Sequence, residues 1–132
     1  MLSKQSQYTL RALTHLSSVE GCVEIKTIAE IEKIPAPFLA KLFQDLARKK
    51  IISSKKGKNG GFYLTEKQKL RSVLDVIMFF EDKEKFNACG MGFNKCSEKN
   101  PCSLHHIYKP YRDNLKRYFQ NIKIKQLKKR VL

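Results

Sequence analysis

The sequence predicts a mainly helical fold carrying one small β-hairpin, and three observations predict it. Two short amphipathic segments meet at a proline-marked turn, Ile34-Pro35, as two helices joined tightly would. Two short apolar runs flank a Lys- and Gly-rich turn from Lys55 to Gly61, the composition of a basic hairpin. Further on, Leu104, Tyr111 and Tyr118 recur at sevens, as do Tyr108, Leu115 and Ile122, which is the a/d seam of two helices packing together. Combined, these features read as a winged helix-turn-helix followed by a long C-terminal dimerisation helix.

From Lys4 to about Val19, Tyr8, Leu10, Ala12, Leu13 and Leu16 recur at helical spacing, with Ser3 placed to cap the start. Cys22-Val23-Glu24-Ile25 reads as a short strand, and Thr27 to Lys33 as a short amphipathic helix. A third helix begins near Ala36, because Pro35 and Pro37 suit a helix's first turn, where N–H groups have no intrahelical partner. Its apolar stripe is Phe38, Leu39, Leu42, Phe43 and Leu46, and Phe38 is assigned to the core on that pattern. Ile51–Ser54 and Phe62–Leu64 read as the strands of the hairpin, and Ser72–Phe80 as another helix. Periodicity then stops from Glu81 to Pro101. Pro110 interrupts the last helical pattern, so that helix is expected either to kink there or to begin near Lys109. The tail from Lys123 to Leu132, with Lys129 and Arg130 near its end, reads as a frayed, solvated end. The domain reading is a DNA-binding unit over 1–80, a cysteine-rich loop over 81–103, and a dimerisation helix with basic tail over 104–132.

Lys and Arg number 27 against 12 Asp and Glu, a formal charge of +15 that suits a polyanionic partner. No segment reaches the roughly 18 consecutive apolar residues of a membrane span, so the expectation is a soluble cytoplasmic protein with no membrane partner. Between Lys41 and Lys69 nine basic residues face two acids, Asp45 and Glu66. That concentration supplies the phosphate attraction that dominates DNA affinity. The exposed N-terminal end of the third helix can reach base edges, while Lys55, Lys56 and Lys58 of the hairpin can follow phosphates or the minor groove. An RNA-binding protein would need exposed aromatic residues for stacking, and most Phe and Tyr here fall on apolar faces.

Four cysteines in a reducing compartment suit metal binding or redox sensing better than disulfides. Three of them, Cys89, Cys96 and Cys102, fall within fourteen residues, with Gly90 and Gly92 between the first two. Thiolates ligate iron-sulfur clusters and zinc alike. The gaps of six and five residues depart from the two-residue spacing of structural zinc sites, which favours a cluster whose fourth ligand comes from elsewhere. Cys102 with His105 or His106 would be a nucleophile and base in an enzyme. No pocket or oxyanion site is readable beside them, so no enzyme is expected. Cys22 reads as a packed or idle thiol, and His15 as a structural histidine.

Ile28-Ala29-Glu30, Ile34-Pro35-Ala36-Pro37-Phe38-Leu39-Ala40-Lys41 and Gly60-Gly61-Phe62-Tyr63-Leu64 resemble the Rrf-type winged-helix transcription regulators, the IscR- and NsrR-like family. The resemblance runs from Leu2 to about Leu127 and joins the helix-turn-helix to a downstream three-cysteine loop. It implies a homodimer paired through a helix around His105 to Asn121, which sets two reading heads at the half-sites of palindromic double-stranded DNA. By position it implies DNA contacts at Pro35, Ala36, Pro37 and Lys41, and at Lys56 and Gly57 in the wing. Ala40 stands where some members carry a base-reading glutamate. The resemblance also implies a 2Fe-2S cluster on Cys89, Cys96 and Cys102 with His105 as fourth ligand and His106 as its competitor. The first gap is one residue longer than the family's commonest spacing. Where NsrR-like members carry an acidic residue near the N-terminus to complete the cluster, this chain has Gln7.

Overall fold

The computed structural model describes residues 2–128. Helix α1 spans Lys4–Ser18, opened by the Ser3 hydroxyl, which accepts from the Ser6 N–H at 3.2 Å. Helix α2 (Ile25–Glu32) ends on Lys33, which takes the left-handed conformation at φ 56° and turns the chain toward Pro35. Helix α3 (Ala36–Arg48) starts where the prolines place it, with Pro35 at the cap. Strands β1 (Ser53–Lys55) and β2 (Gly61–Tyr63) pair antiparallel in the register Ser53↔Tyr63, Ser54↔Phe62, Lys55↔Gly61. A one-turn helix, α4 (Glu66–Lys69), follows, opened by a capping box between Thr65 and Gln68. Helix α5 runs Val73–Phe80 and α6 runs His105–Asn121.

The expected strand at Cys22–Ile25 reduces to one bridging residue. Val23 exchanges backbone hydrogen bonds with Phe62 at 2.8 and 2.9 Å, tying the wing to the turn before α2. This approach requires glycine at 61, where φ is +145° and a Cβ would stand 2.5 Å from the Val23 carbonyl oxygen. Of the two expectations for Pro110, the late start is not seen. Helix α6 begins at His105 and carries Pro110 in its second turn, at the loss of one intrahelical bond.

Leu13, Leu16, Ile28, Leu39, Phe43 and Leu46 are fully or almost fully buried where α1, α2 and α3 meet. A second core joins Val73, Leu74, Ile77 and Phe86 to Leu115 and Phe119 of α6 and to Ile122 just beyond it. The heptad seam is thereby split. Leu115 and Ile122 pack on α5 within the chain, whereas Leu104, Tyr111 and Tyr118 are exposed. A seven-residue repeat shows that a helix has an apolar face but not which neighbour covers it.

The expectation of a frayed tail is also corrected. Ile124 is fully buried in the first core; Val73 N–H donates to the Ile122 carbonyl at 2.8 Å and Ile124 N–H to the Arg71 carbonyl at 2.9 Å. Lys129 and Arg130 lie outside the described residues. Among the described residues no helix is long and apolar enough to cross a membrane.

Candidate nucleic-acid interface and cysteine site

The candidate reading surface begins at the first turn of α3. Pro35, Pro37 and Lys41 are exposed and Ala36 is half-buried, with Gln44 and Arg48 continuing the exposed face. Phe38, assigned to the core from its spacing, is 38% exposed. Its ring meets Tyr8 edge to face, centroids 5.8 Å apart, so α1 borders the reading helix. The cations of Lys4 and Arg11 lie 5.9 and 5.8 Å from the Tyr8 ring centre. These α1 residues escaped sequence reasoning, although their spacing by four and three places them on one helix face. Across the hairpin, Lys55, Lys56, Gly57 and Lys58 are all exposed at the wing tip. A short turn, with the Gly60 N–H donating to the Gly57 carbonyl at 3.0 Å, holds that tip.

The loop between α5 and α6 gathers the other candidates. Cys89, Cys96, Cys102 and His105 line a single cavity of about 530 Å³, with Met91 and Phe93 on its wall. They approach in two pairs. Cys89 Sγ stands 3.5 Å from Cys102 Sγ, and Cys96 Sγ stands 3.4 Å from His105 Nδ1. Among the described residues no group of three or more His, Cys, Asp or Glu side chains gathers around one point. His106 is exposed and stacks edge-on against the His105 ring at 5.7 Å. Gln7 is exposed and donates to the Leu2 carbonyl.

Two thiolates on one tetrahedral metal, each about 2.3 Å from it, stand about 3.8 Å apart, and a thiolate with an imidazole nitrogen about 3.5 Å apart. Each observed pair therefore has the spacing of two ligands on one tetrahedral centre. A dinuclear cluster needs two protein ligands per iron, whereas a mononuclear zinc site needs three or four around one point. The donor set fits the dinuclear group.

The backbone N–H of Met91, 3.4 Å from the sulfur, holds the Cys89 thiol below its ordinary pKa against the opposing effect of burial, with Phe93 N–H, Cys102 and Gly92 N–H adding to it. Gly90 seats the loop on α6: a Cβ there would lie 2.6 Å from the Tyr108 ring. His105 is buried, its N–H donating to the Cys102 carbonyl at 3.1 Å. Sequence reasoning also missed Arg112, buried beside the loop. The clue in the sequence is a charged triplet, Lys109, Arg112 and Asp113, on the turns facing the loop. Of the two remaining residues, His15 is buried with Nε2 3.4 Å from Glu32, and Cys22 is a half-buried free thiol.

A helix-turn-helix with a basic wing, joined through a cysteine loop to a long helix, defines a winged-helix DNA-binding regulator. The Rrf2 family model, described as an iron-dependent transcriptional regulator, matches residues 2–130, and the chain belongs to that family. It is a transcriptional regulator, not an enzyme. A protein of Aquifex aeolicus named as an HTH-type transcriptional regulator is 34% identical over 130 residues, covering 96% of this chain and 90% of that one. The HTH-type transcriptional regulator IscR of Escherichia coli is 26% identical over 128 residues, covering 96% of this chain and 78% of that one. The fold matches that of CymR, titled the global cysteine regulator of B. subtilis, with a TM-score of 0.77 at 19% identity over 96% of this chain and 95% of that one.

Proposed function

We propose that this chain acts in the cytoplasm as a homodimeric regulator whose binding to a palindromic operator is controlled by a 2Fe-2S cluster on Cys89, Cys96, Cys102 and His105. The observation that carries the reading is the pairing of those donors at 3.5 and 3.4 Å around one cavity. When bound, the cluster supplies one-electron redox chemistry and a metal centre open to attack by small molecules. The remaining roles belong to the chain. Pro35, Ala36, Pro37 and Lys41 meet base edges and backbone in the major groove, and Lys55, Lys56, Gly57 and Lys58 follow the adjacent phosphates. Residues 1–80 form the reading head, 81–103 the cluster loop, and 104–132 the pairing helix and tail.

Pairing through α6 is supported by its exposed stripe, Leu104, Ile107, Tyr111 and Tyr118, spaced by three, four and seven. Such a stripe on a soluble helix is covered by a partner, and a second copy offers the same face about a two-fold axis. His105, a proposed ligand, is also the first residue of α6. Any change in how the four donors are gathered therefore acts directly on the pairing helix.

The test is the visible absorption, iron and sulfide content of protein purified without oxygen, followed by operator binding in each state. The operator is obtained by selection from random duplexes. Charge-transfer bands with stoichiometric iron and sulfide, lost in Cys96→Ala along with state-dependent binding, are expected. Equal operator affinity with and without the cluster refutes sensing. A second reading is a regulator of the same fold without a cluster, zinc-bound or controlled by a protein partner, and the likeness in fold to CymR, titled a cysteine regulator, supports it. A protein that stays colourless after reconstitution with iron and sulfide decides for it.

A further inference from the structure

We infer that Arg112 is the positioning residue that fastens the cysteine loop to α6 at its entry, next to Cys89, and sets the charge beside the site. The inference rests on the reading of Cys89, Cys96, Cys102 and His105 as one cluster site. Arg112 lies in the third turn of α6 and is only 7% exposed. A guanidinium is buried at a large desolvation cost unless its donors are satisfied, and here they are. Nη1 donates to the Ala88 carbonyl at 2.7 Å, while Nε and Nη2 donate to Asp113 Oδ1 at 3.2 and 3.0 Å. The Cys96 sulfur lies beside the same guanidinium. Ala88 immediately precedes Cys89, so the side chain grips the loop at its entry and places a positive charge near its middle thiol.

Asp113 makes this grip rigid. Its other oxygen takes Lys109 Nζ at 2.9 Å, and Lys109 reaches Glu98 at 3.5 Å, between Cys96 and Cys102. The two attachments differ in depth. Glu98 is 76% exposed, so its bridge to Lys109 is a screened surface pair of little consequence. Arg112 sits inside, where water does not compete. Hydrogen bonds and positive charge beside a ligand sulfur favour the reduced, more negative form of a cluster and raise its reduction potential. Asp113 compensates part of that charge but does not touch the sulfur.

The experiment compares wild type, Arg112→Gln, Arg112→Lys and Lys109→Gln, each as the full chain reconstituted anaerobically with ferrous iron and sulfide. In Arg112→Gln the reduction potential moves to more negative values, the electron paramagnetic signature of the reduced protein changes, and iron retention against a chelator falls about 10- to 100-fold. Arg112→Lys keeps the charge without the guanidinium's fork between Ala88 and Asp113. It recovers much of the potential but retains the altered signature. Lys109→Gln matches wild type in both. Should Arg112→Gln fail to fold, Arg112→Lys decides through its signature. A wild-type potential and signature in Arg112→Gln, or a wild-type signature in Arg112→Lys, overturns the inference while leaving the cluster reading intact. A wild-type chain that takes up no iron refutes the cluster reading instead, and the inference falls with it.

Discussion

Replacing Glu81 by Gln tests the contact that closes the start of α1 onto the end of α5. The Glu81 side chain is 4% exposed. Its carboxylate accepts from the Ser3 N–H at 3.0 and 3.3 Å and from the Ser6 hydroxyl at 2.8 Å, with Lys85 Nζ at 3.3 Å. An amide keeps only one accepting oxygen, so its NH₂ faces a donor and the ion pair is lost. Hydrogen bonds to a charged acceptor contribute about 1.5–3 kcal/mol each, and the partly exposed Lys85 adds less than about 1 kcal/mol. With one good bond retained, the expected loss is about 2–4 kcal/mol at neutral pH. Burial by itself would raise this carboxyl, but the Ser3 and Ser6 hydroxyls, the Ser3 N–H and Lys85 outweigh it and hold the folded pKa below the ordinary 4.5. The stabilisation is therefore complete above 4.5 and is lost as pH falls through the folded value, because the unfolded chain takes up its proton first. Gln does not titrate, so the gap between variant and wild type stays constant above 4.5 and narrows as pH falls from there to the folded value. Urea unfolding of both proteins from about pH 7 down to about pH 3 reads the gap. A neutral-pH gap under about 0.5 kcal/mol, or one that does not narrow in acid, refutes the reasoning.

Three further outcomes are expected. Replacing Lys55, Lys56 and Lys58 by Gln flattens the log–log dependence of DNA affinity on salt by about 0.9 for each phosphate contact removed. Fluorescence anisotropy across a salt series measures the slope, and an unchanged slope takes the wing off the DNA. Gly61→Ala sets a Cβ against the Val23 carbonyl and breaks the two backbone bonds to Phe62, at about 2–4 kcal/mol. Thermal melting detects the loss, and native-state hydrogen exchange should show Val23 and Phe62 amides opening first. Ile107 and Tyr111 are 78% and 64% exposed, so Ile107→Lys with Tyr111→Lys leaves the circular dichroism melt near wild type while sedimentation shifts to monomer. A persistent dimer places the interface elsewhere.

The parts of the fold legible in the sequence are those fixed by near neighbours. Ser3 caps α1 and the flanking prolines start α3 because both effects act within one helical turn. Helix α4 could have been read in the same way, since Thr65 and Gln68 carry the spacing of a capping box. The bridge from Val23 to Phe62 and the burial of Ile124 join residues far apart in the chain, and no local pattern encodes either. The same division holds at the site. Three thiols in a short loop announce a metal-binding chemistry, but that Cys89 meets Cys102 while Cys96 meets His105 depends on the path of the loop. Arg112 is hidden for a related reason: an arginine in a basic helix, even beside Lys109 and Asp113, reads as solvated unless the Ala88 carbonyl is known to lie beside it.

The three faces of α6 explain how one helix serves both the loop and a partner. Leu115, Phe119 and Ile122 pack on α5; Arg112 holds the loop; Leu104, Ile107, Tyr111 and Tyr118 face outward. Its two ends are restrained unequally. Beyond Asn121, the bonds from Val73 to Ile122 and from Ile124 to Arg71, with Ile124 fully buried, sew the C-terminal end into the winged-helix core. The N-terminal end has no side-chain cap, and at Pro110 it lacks one intrahelical bond. It is held by the cysteine loop and by Arg112. On the proposed reading, a rearrangement of the loop would be resisted least at His105 and most at Ile122, and the helix would swing about its C-terminal end. Leu104 and Ile107 would then move furthest, and Tyr118, on the same stripe, hardly at all. A change at the four proposed donors would therefore alter the angle between helices paired as proposed more than it disturbs either core, and that angle would set the separation of the two proposed reading heads on DNA.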